Sequence, residues 1–183
     1  ANEIINPKAV TADYDLIICL DASSIDRMGA VYKEKAHQNI PLLVIDHHVT
    51  NTRFGQINWV RADCAATCQL LVYLAQALAV PLTGALAECL LTGIVTDTLC
   101  FRTSNTTADV LEAAMHLIRG GAELATITQR TLNQRSLSVL KLWGTVLSQL
   151  HFDEGVIWVT ISRGQLKTAG KLTNDGQLSG VLI

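Results

Sequence analysis

Leu43-Val44-Ile45-Asp46-His47-His48-Val49-Thr50-Asn51 is the stretch on which the reading of this chain turns. An apolar run that stops abruptly at an acid and two imidazoles has the form of a buried parallel strand whose carboxyl end delivers ligating or proton-handling groups. That edge is where open α/β sheets bind their ligands. A single His at a strand end is commonly just a hydrogen-bonded structural residue. Two adjacent His after an Asp are harder to absorb that way, because strand alternation points them to opposite sides and one then needs a special partner.

Upstream, DLIICLDASS repeats the pattern, with the apolar run Leu16 to Leu20 ending in Asp21. Between the two runs, Met28, Val31, Tyr32 and Ala36 predict a helix over Ile25 to Gln38, stopped by Pro41. Asp21 and Asp46 are thus one strand-helix unit apart, and a right-handed βαβ crossover brings both to the same sheet edge. Either acid alone could be a helix cap. Together with His47 they point to a metal site.

Downstream, Phe54, Ile57, Trp59 and Val60 predict a short edge segment, and Asp63 a cap for a helix over Ala65 to Leu78 with Leu70, Leu74 and Leu78 on one face. Leu86, Leu90 and Ile94 predict a helix to Val95 that runs into TDTLCFR. Asp97 follows a helix with no other charge after Glu88, which leaves it few partners except a cation. NTTADVLEAAMHLIRGG predicts a helix capped by Thr106 or Thr107 and ended by Gly120 and Gly121, with Leu111, Ala114, Leu117 and Ile118 facing the core and His116 structural. Further helices are expected over Leu124 to Leu132 and Leu137 to Leu150, the latter with Leu140, Trp143, Leu147 and Leu150 on one face. GVIWVTISRGQLKTAG then predicts a strand and a short helix, and with them a second domain beginning near His151.

At 183 residues and 49% hydrophobic, the chain suits one α/β domain with part of a second. No apolar run approaches the roughly 20 residues of a membrane span. The opening ANEIINPKAV lacks the basic start and apolar core of a signal peptide, so the expected location is cytoplasmic. Five cysteines, an odd number set mostly in apolar runs and without a CxxC, predict buried free thiols rather than a zinc ribbon or redox pair. A net charge of −2 carries no footprint for long nucleic acid but permits a short anionic substrate held through a metal.

DASSIDRMG, VIDHHVTN and TGIVTDTLCFR, in this order and spacing, resemble the second, third and fourth motifs of the DHH phosphoesterase superfamily, in its bacterial nanoRNase and phosphoadenosine phosphate phosphatase branch. The resemblance covers most of the chain. It implies a Rossmann-like parallel sheet flanked by helices over 1–135, a connector helix over 136–150 and, over 151–183, the start of a smaller DHHA1 domain that closes over substrate. It further implies a pair of divalent cations, usually Mn2+ with Mg2+ also accommodated, and a short oligonucleotide or nucleotide phosphate as substrate. Homodimers are common among such proteins. By this resemblance Asp21 is a bridging carboxylate, His47 and Asp97 ligate the second metal, His48 contacts phosphate, Asp46 orients the histidine motif and Arg102 meets substrate.

The departures are equally informative. The family's first motif, HxxPDxDA after a strand, has no counterpart: the NP pair Asn6-Pro7 has no His or Asp around it. Leu99 stands where a Gly is common, and the glycine-rich DHHA1 motif is absent. The chain therefore reads as a fragment in which one metal has lost most of its ligands and activity is nearly lost. Related readings are an inorganic pyrophosphatase, a cyclic dinucleotide phosphodiesterase, a RecJ-like exonuclease, and a non-catalytic nucleotide-binding module.

Overall fold

Two apolar runs separated by one crossover should pair in parallel, and they do. In the computed structural model, which describes residues 14–132 and 137–169, β1 (Ile17–Leu20) lies beside β2 (Leu42–Asp46) with Ile17 opposite Leu42 and Leu20 opposite Ile45. The predicted edge segment is β3 (Ile57–Val60), which pairs with the other side of β2, also in parallel. The sheet order is β1-β2-β3. The central strand is the continuous apolar one because both its faces are covered: Leu42, Val44, Ile45 and even Asp46 are at most 2% exposed. β1 keeps Ile17 and Cys19 against the core while Leu16, Ile18 and Leu20 are exposed, the alternation of a strand covered on one face.

The crossover departs from the expected single helix. It contains a 3-10 segment, Ile25–Val31, kinked at Gly29 (φ 56°), and the short α1 (Glu34–His37). Gly29 takes a left-handed conformation that breaks the helical repeat the apolar spacing suggested. Met28 and Tyr32 still pack beneath β1 and β2 with Phe54.

The other face of the sheet is covered by α2 (Thr67–Ala77), whose Leu70 and Leu74 pack against Ile45 and Trp59. Leu78, expected on the same face, lies past the helix end and is 65% exposed. Asp63 does not cap this helix; it pairs with Arg61, and the N-cap is Ala66. The opposite side of α2, through Val72, joins a second core with α3 (Gly84–Asp97), α4 (Ala108–Arg119) and α5 (Leu124–Thr131), centred on Leu91, Ile94, Val95, Val110 and Leu117. Burying each such aliphatic side chain contributes about 1.5–3 kcal/mol.

α4 begins as its sequence dictates, Thr107 accepting a hydrogen bond from the Val110 amide. Its buried face is Val110, Ala113, Ala114 and Leu117; Leu111 and Ile118, expected in the core, are exposed. Of the cysteines expected to be buried, Cys19 and Cys64 are, Cys68 and Cys100 are half-buried, and Cys89 is exposed; all five are free thiols.

The chain divides into compact units at Leu132/Asn133. In the second, α6 (Leu137–Leu147) buries Val139, Leu142 and Val146, one residue out of phase with the predicted stripe, of which Leu140, Leu147 and Leu150 are exposed. An antiparallel hairpin, β4 (His151–Asp153) and β5 (Val156–Trp158), stacks His151 on Trp158 and is followed by α7 (Arg163–Ala169). The lead-in over 1–13, the junction at 133–136 and the remainder of the expected DHHA1 segment from 170 onward lie outside the described residues. Among the described residues, no helix is long and apolar enough to cross a membrane.

Candidate metal centre

The carboxyl ends of β1, β2 and β3 are tied together by their backbones. The Asp21 amide donates to the Ile45 carbonyl (3.1 Å), Thr52 N–H to the Ser23 carbonyl (2.8 Å), and Arg61 N–H to the Asp46 carbonyl (3.0 Å). Asp21, the first residue past β1, has φ 61°, a left-handed conformation that Asp tolerates better than most residues. The chain turns sharply there, and the carboxylate remains at the strand end.

Asp46 is the buried hub. Its Oδ1 accepts from the His47 amide (2.9 Å) and meets His48 Nδ1 at 2.7 Å, while Oδ2 accepts from Asn51 Nδ2 (2.6 Å), which also donates to the Ala22 carbonyl (3.0 Å). Burial opposes the ionised form, but the bonds from His48, Asn51 and the His47 amide outweigh it and hold the carboxyl below its usual range. An Nδ1–H donated to this carboxylate leaves His48 Nε2 as the ring's other functional atom.

His47 points the other way. Its Nε2 lies 3.5 Å from Asp21 Oδ1 and 3.8 Å from Asp97 Oδ2. Asp21, His47 and His48 offer ligand atoms within 4.8 Å of one another. Asp97, the last residue of α3, is pushed above its usual range by burial and by the nearby negative charge of Asp21, with His47 and His48 acting in the opposite direction. With the Asp21 carboxylate and two imidazoles within 4.8 Å of one another and the Asp97 carboxylate 3.8 Å from His47, the groups offer a mixed oxygen and nitrogen donor set of the kind that holds a borderline divalent cation. A cation is also what would relieve the Asp21–Asp97 repulsion.

Beyond Asp97 the backbone makes a left-handed turn, with φ 47° at Leu99, 60° at Cys100 and 63° at Phe101. The buried Thr98 secures it: its Oγ1 donates to the Ile94 carbonyl (2.6 Å) and accepts from the Phe101 amide (2.9 Å). The Leu for Gly departure noted in the sequence therefore falls on a position where glycine would be unstrained. Arg102 donates from Nε to the Leu99 carbonyl (2.8 Å) and so braces this turn; among the described contacts none joins it to Asp21, His47 or His48. His116 is on α4, its Nε2 3.8 Å from Glu112 Oε1.

Two participants were not singled out from the sequence. Asn51 stands close enough to the triplet to have been suspected as its partner. Thr67, whose hydroxyl donates to Asp21 Oδ1 at 2.7 Å across 46 residues, left no local signal.

A profile described as the DHH family, N-terminal domain, matches residues 1–94. The chain belongs to the DHH family. It is 40% identical over 144 residues to a bifunctional oligoribonuclease and PAP phosphatase, NrnA, of Thermus thermophilus, an alignment covering 79% of this chain and 43% of that protein. It is 27% identical over 172 residues to the NrnA of Bacillus subtilis, covering 91% and 54% respectively. Among solved structures, an exopolyphosphatase-related protein from Bacteroides fragilis superposes with a TM-score of 0.82 at 23% identity, over 97% of this chain and 54% of that one, and shares the fold. This DHH chain spans about half the length of the curated relatives it matches.

Proposed function

We propose that this DHH chain carries the metal-binding face of a phosphoesterase that hydrolyses short oligonucleotides or phosphoadenosine phosphate. The observation that carries the reading is the convergence of Asp21, His47 and Asp97 at one sheet edge, in a chain 40% identical to an oligoribonuclease and PAP phosphatase. Asp21, His47 and Asp97 hold cation, Mn2+ in the first instance and Mg2+ as substitute, in keeping with a carboxylate on either side of the His47 Nε2, at 3.5 and 3.8 Å. Divalent cations bound there would supply Lewis acidity toward phosphoryl oxygens and lower the pKa of a water. His48, its Nδ1 engaged by Asp46, presents its other ring nitrogen to a phosphate oxygen, and Asp46 acts through that ring. Arg102 reaches substrate phosphate from the turn it braces.

Residues 1–135 are assigned to the DHH domain, 136–150 to the connector and 151–183 to the opening of a DHHA1 domain, in keeping with the division after Leu132 and the hairpin and helix that follow it. The compartment proposed is the cytoplasm, where such nucleotides are found.

The experiment is Mn2+-dependent hydrolysis of a short oligoribonucleotide and of phosphoadenosine phosphate by the protein carrying this chain. Wild type is compared with Asp21→Ala, His47→Ala and His116→Ala. The first two are expected to lose activity by orders of magnitude and His116→Ala to retain it. Equal activity of Asp21→Ala and His116→Ala in excess Mn2+ would refute the assignment.

A further inference from the structure

Asp21 is an insecure ligand on its own. Its side chain is 53% exposed, and an open carboxylate at a strand end samples several rotamers unless something fixes it. The Thr67 hydroxyl, on a residue 4% exposed, donates to Asp21 Oδ1 at 2.7 Å. That hydroxyl reaches across the fold, whereas the other helical threonines bond locally, Thr126 to the neighbouring Glu123 carboxylate at 2.9 Å. Thr92, Thr96, Thr98, Thr128 and Thr131 return theirs to carbonyls one turn back along their own helices, at 2.6–3.0 Å. Thr67 is the first residue of α2, where no preceding helical turn offers a carbonyl, so its hydroxyl reaches outward instead.

The start of α2 is also shaped for this approach. Its N-cap is Ala66, which makes no side-chain cap bond, and Ala65 and Ala66 are at most 1% exposed. A helix start built for its own stability would place Ser, Thr, Asp or Asn at that position. Small residues there bring the positive end of the helix close to the carboxylate.

We propose that Thr67 is a positioning residue for the candidate metal centre: its hydroxyl occupies one lone pair of Asp21 Oδ1 and fixes the carboxylate toward His47. The inference rests on the reading of Asp21 as a cation ligand and adds the residue that orients it. The closing experiment has a metal-free and a metal-bound arm. In the first, three-bond scalar couplings report the Asp21 χ1 rotamer in the metal-free chain for wild type, Thr67→Val and Thr67→Ser. Wild type and Thr67→Ser are expected to hold one rotamer, and the isosteric Thr67→Val, which lacks only the donor, to average among rotamers.

In the second arm, calorimetric titration with Mn2+ alone is expected to show about tenfold weaker binding by Thr67→Val and near wild-type binding by Thr67→Ser. Thr67→Ala replaces Thr67→Val should the valine variant lose its circular dichroism spectrum. An unchanged Asp21 rotamer or unchanged Mn2+ affinity in the variant lacking the hydroxyl overturns the proposal. So does a Thr67→Ser as weak as Thr67→Val, which would assign the effect to packing of the methyl group. If His47→Ala binds Mn2+ as wild type does, the cation reading itself has failed and this inference falls with it, a result separate from the rotamer arm.

Discussion

Gly93→Ala should destabilise this chain, and removing one sulfur atom should cancel most of the damage. Gly93 lies one turn before the end of α3, against the first turn of α2, where an added Cβ would stand 2.2 Å from Cys68 Sγ and 3.0 Å from Cys68 Cβ. Carbon and sulfur cannot approach to that distance, so α2 and α3 must part or the thiol must leave its rotamer; overpacking of this kind costs about 1–3 kcal/mol. Alanine's better helix propensity returns about 1 kcal/mol, which leaves a net loss of up to about 2 kcal/mol. Cys68→Ala alone removes a single half-buried sulfur and costs about 1 kcal/mol. In the double variant the sulfur clash is gone, only the tight carbon–carbon contact remains, and the helix keeps its propensity gain. The cycle should therefore show a coupling of about 1–2 kcal/mol, well beyond the ~0.3–0.5 kcal/mol scatter of independent sites.

The assay is urea unfolding followed by far-ultraviolet circular dichroism. A functional echo is expected too, because Asp97 lies one turn beyond Gly93 and is 3.8 Å from His47. Parting α2 from α3 should weaken Mn2+ binding by Gly93→Ala, and the double variant should recover it. Strictly additive stabilities would refute the close α2–α3 contact on which the placement of Asp97 depends.

Leu99→Gly, normally a damaging class of substitution, is expected to be neutral or to stabilise by up to about 1 kcal/mol. It relieves a left-handed conformation (φ 47°) that costs a side-chain-bearing residue about 1–2 kcal/mol, against the greater entropy of glycine in the unfolded chain. Thermal unfolding reads the difference, and a loss above about 1 kcal/mol would contradict the strained turn. The Asp63 carboxyl, hydrogen-bonded to the Arg61 guanidinium, is lowered to about 2. Because its folded value is depressed, the pair's contribution is present above the usual carboxylate range and is lost as pH falls toward 2. A carboxyl titration by nuclear magnetic resonance should see this midpoint return to the ordinary range in Arg61→Ala, and an unmoved midpoint would exclude the pairing. Burial, helped by Asp97 and Asp21, pushes the Cys68 thiol up to about 11, whereas Cys89 is exposed. Maleimide labelling of the native chain at mildly alkaline pH should therefore modify Cys89 well before Cys68, since the thiolate is the reactive form; mass spectrometry showing the reverse order would place Cys68 elsewhere.

The sequence alone determined the parallel pairing of β1 and β2 and the emergence of Asp21 and His47 on one edge. Those features follow from short-range causes: continuous apolar runs make doubly covered strands, an intervening crossover of this length forces parallel pairing, and the acid that ends each run marks the carboxyl end. The cap of α4 was legible for the same reason, since Thr107 bonds an amide three residues ahead of it. Helix phase was less legible. Val139, Leu142 and Val146 form the buried stripe of α6, yet the neighbouring Leu140 and Leu147 are equally apolar, and only the surface a helix meets decides between adjacent stripes. The kink at Gly29 likewise overrode a plausible helical spacing, because glycine permits a left-handed conformation without demanding it. Tertiary structure alone decided how the site closes. Asp97 meets His47 because α3 packs against α2, and Thr67 meets Asp21 because small residues bring the start of α2 against the sheet edge. Both contacts join distant parts of the chain through packing, and side-chain complementarity between elements has no periodicity along the sequence by which to read it.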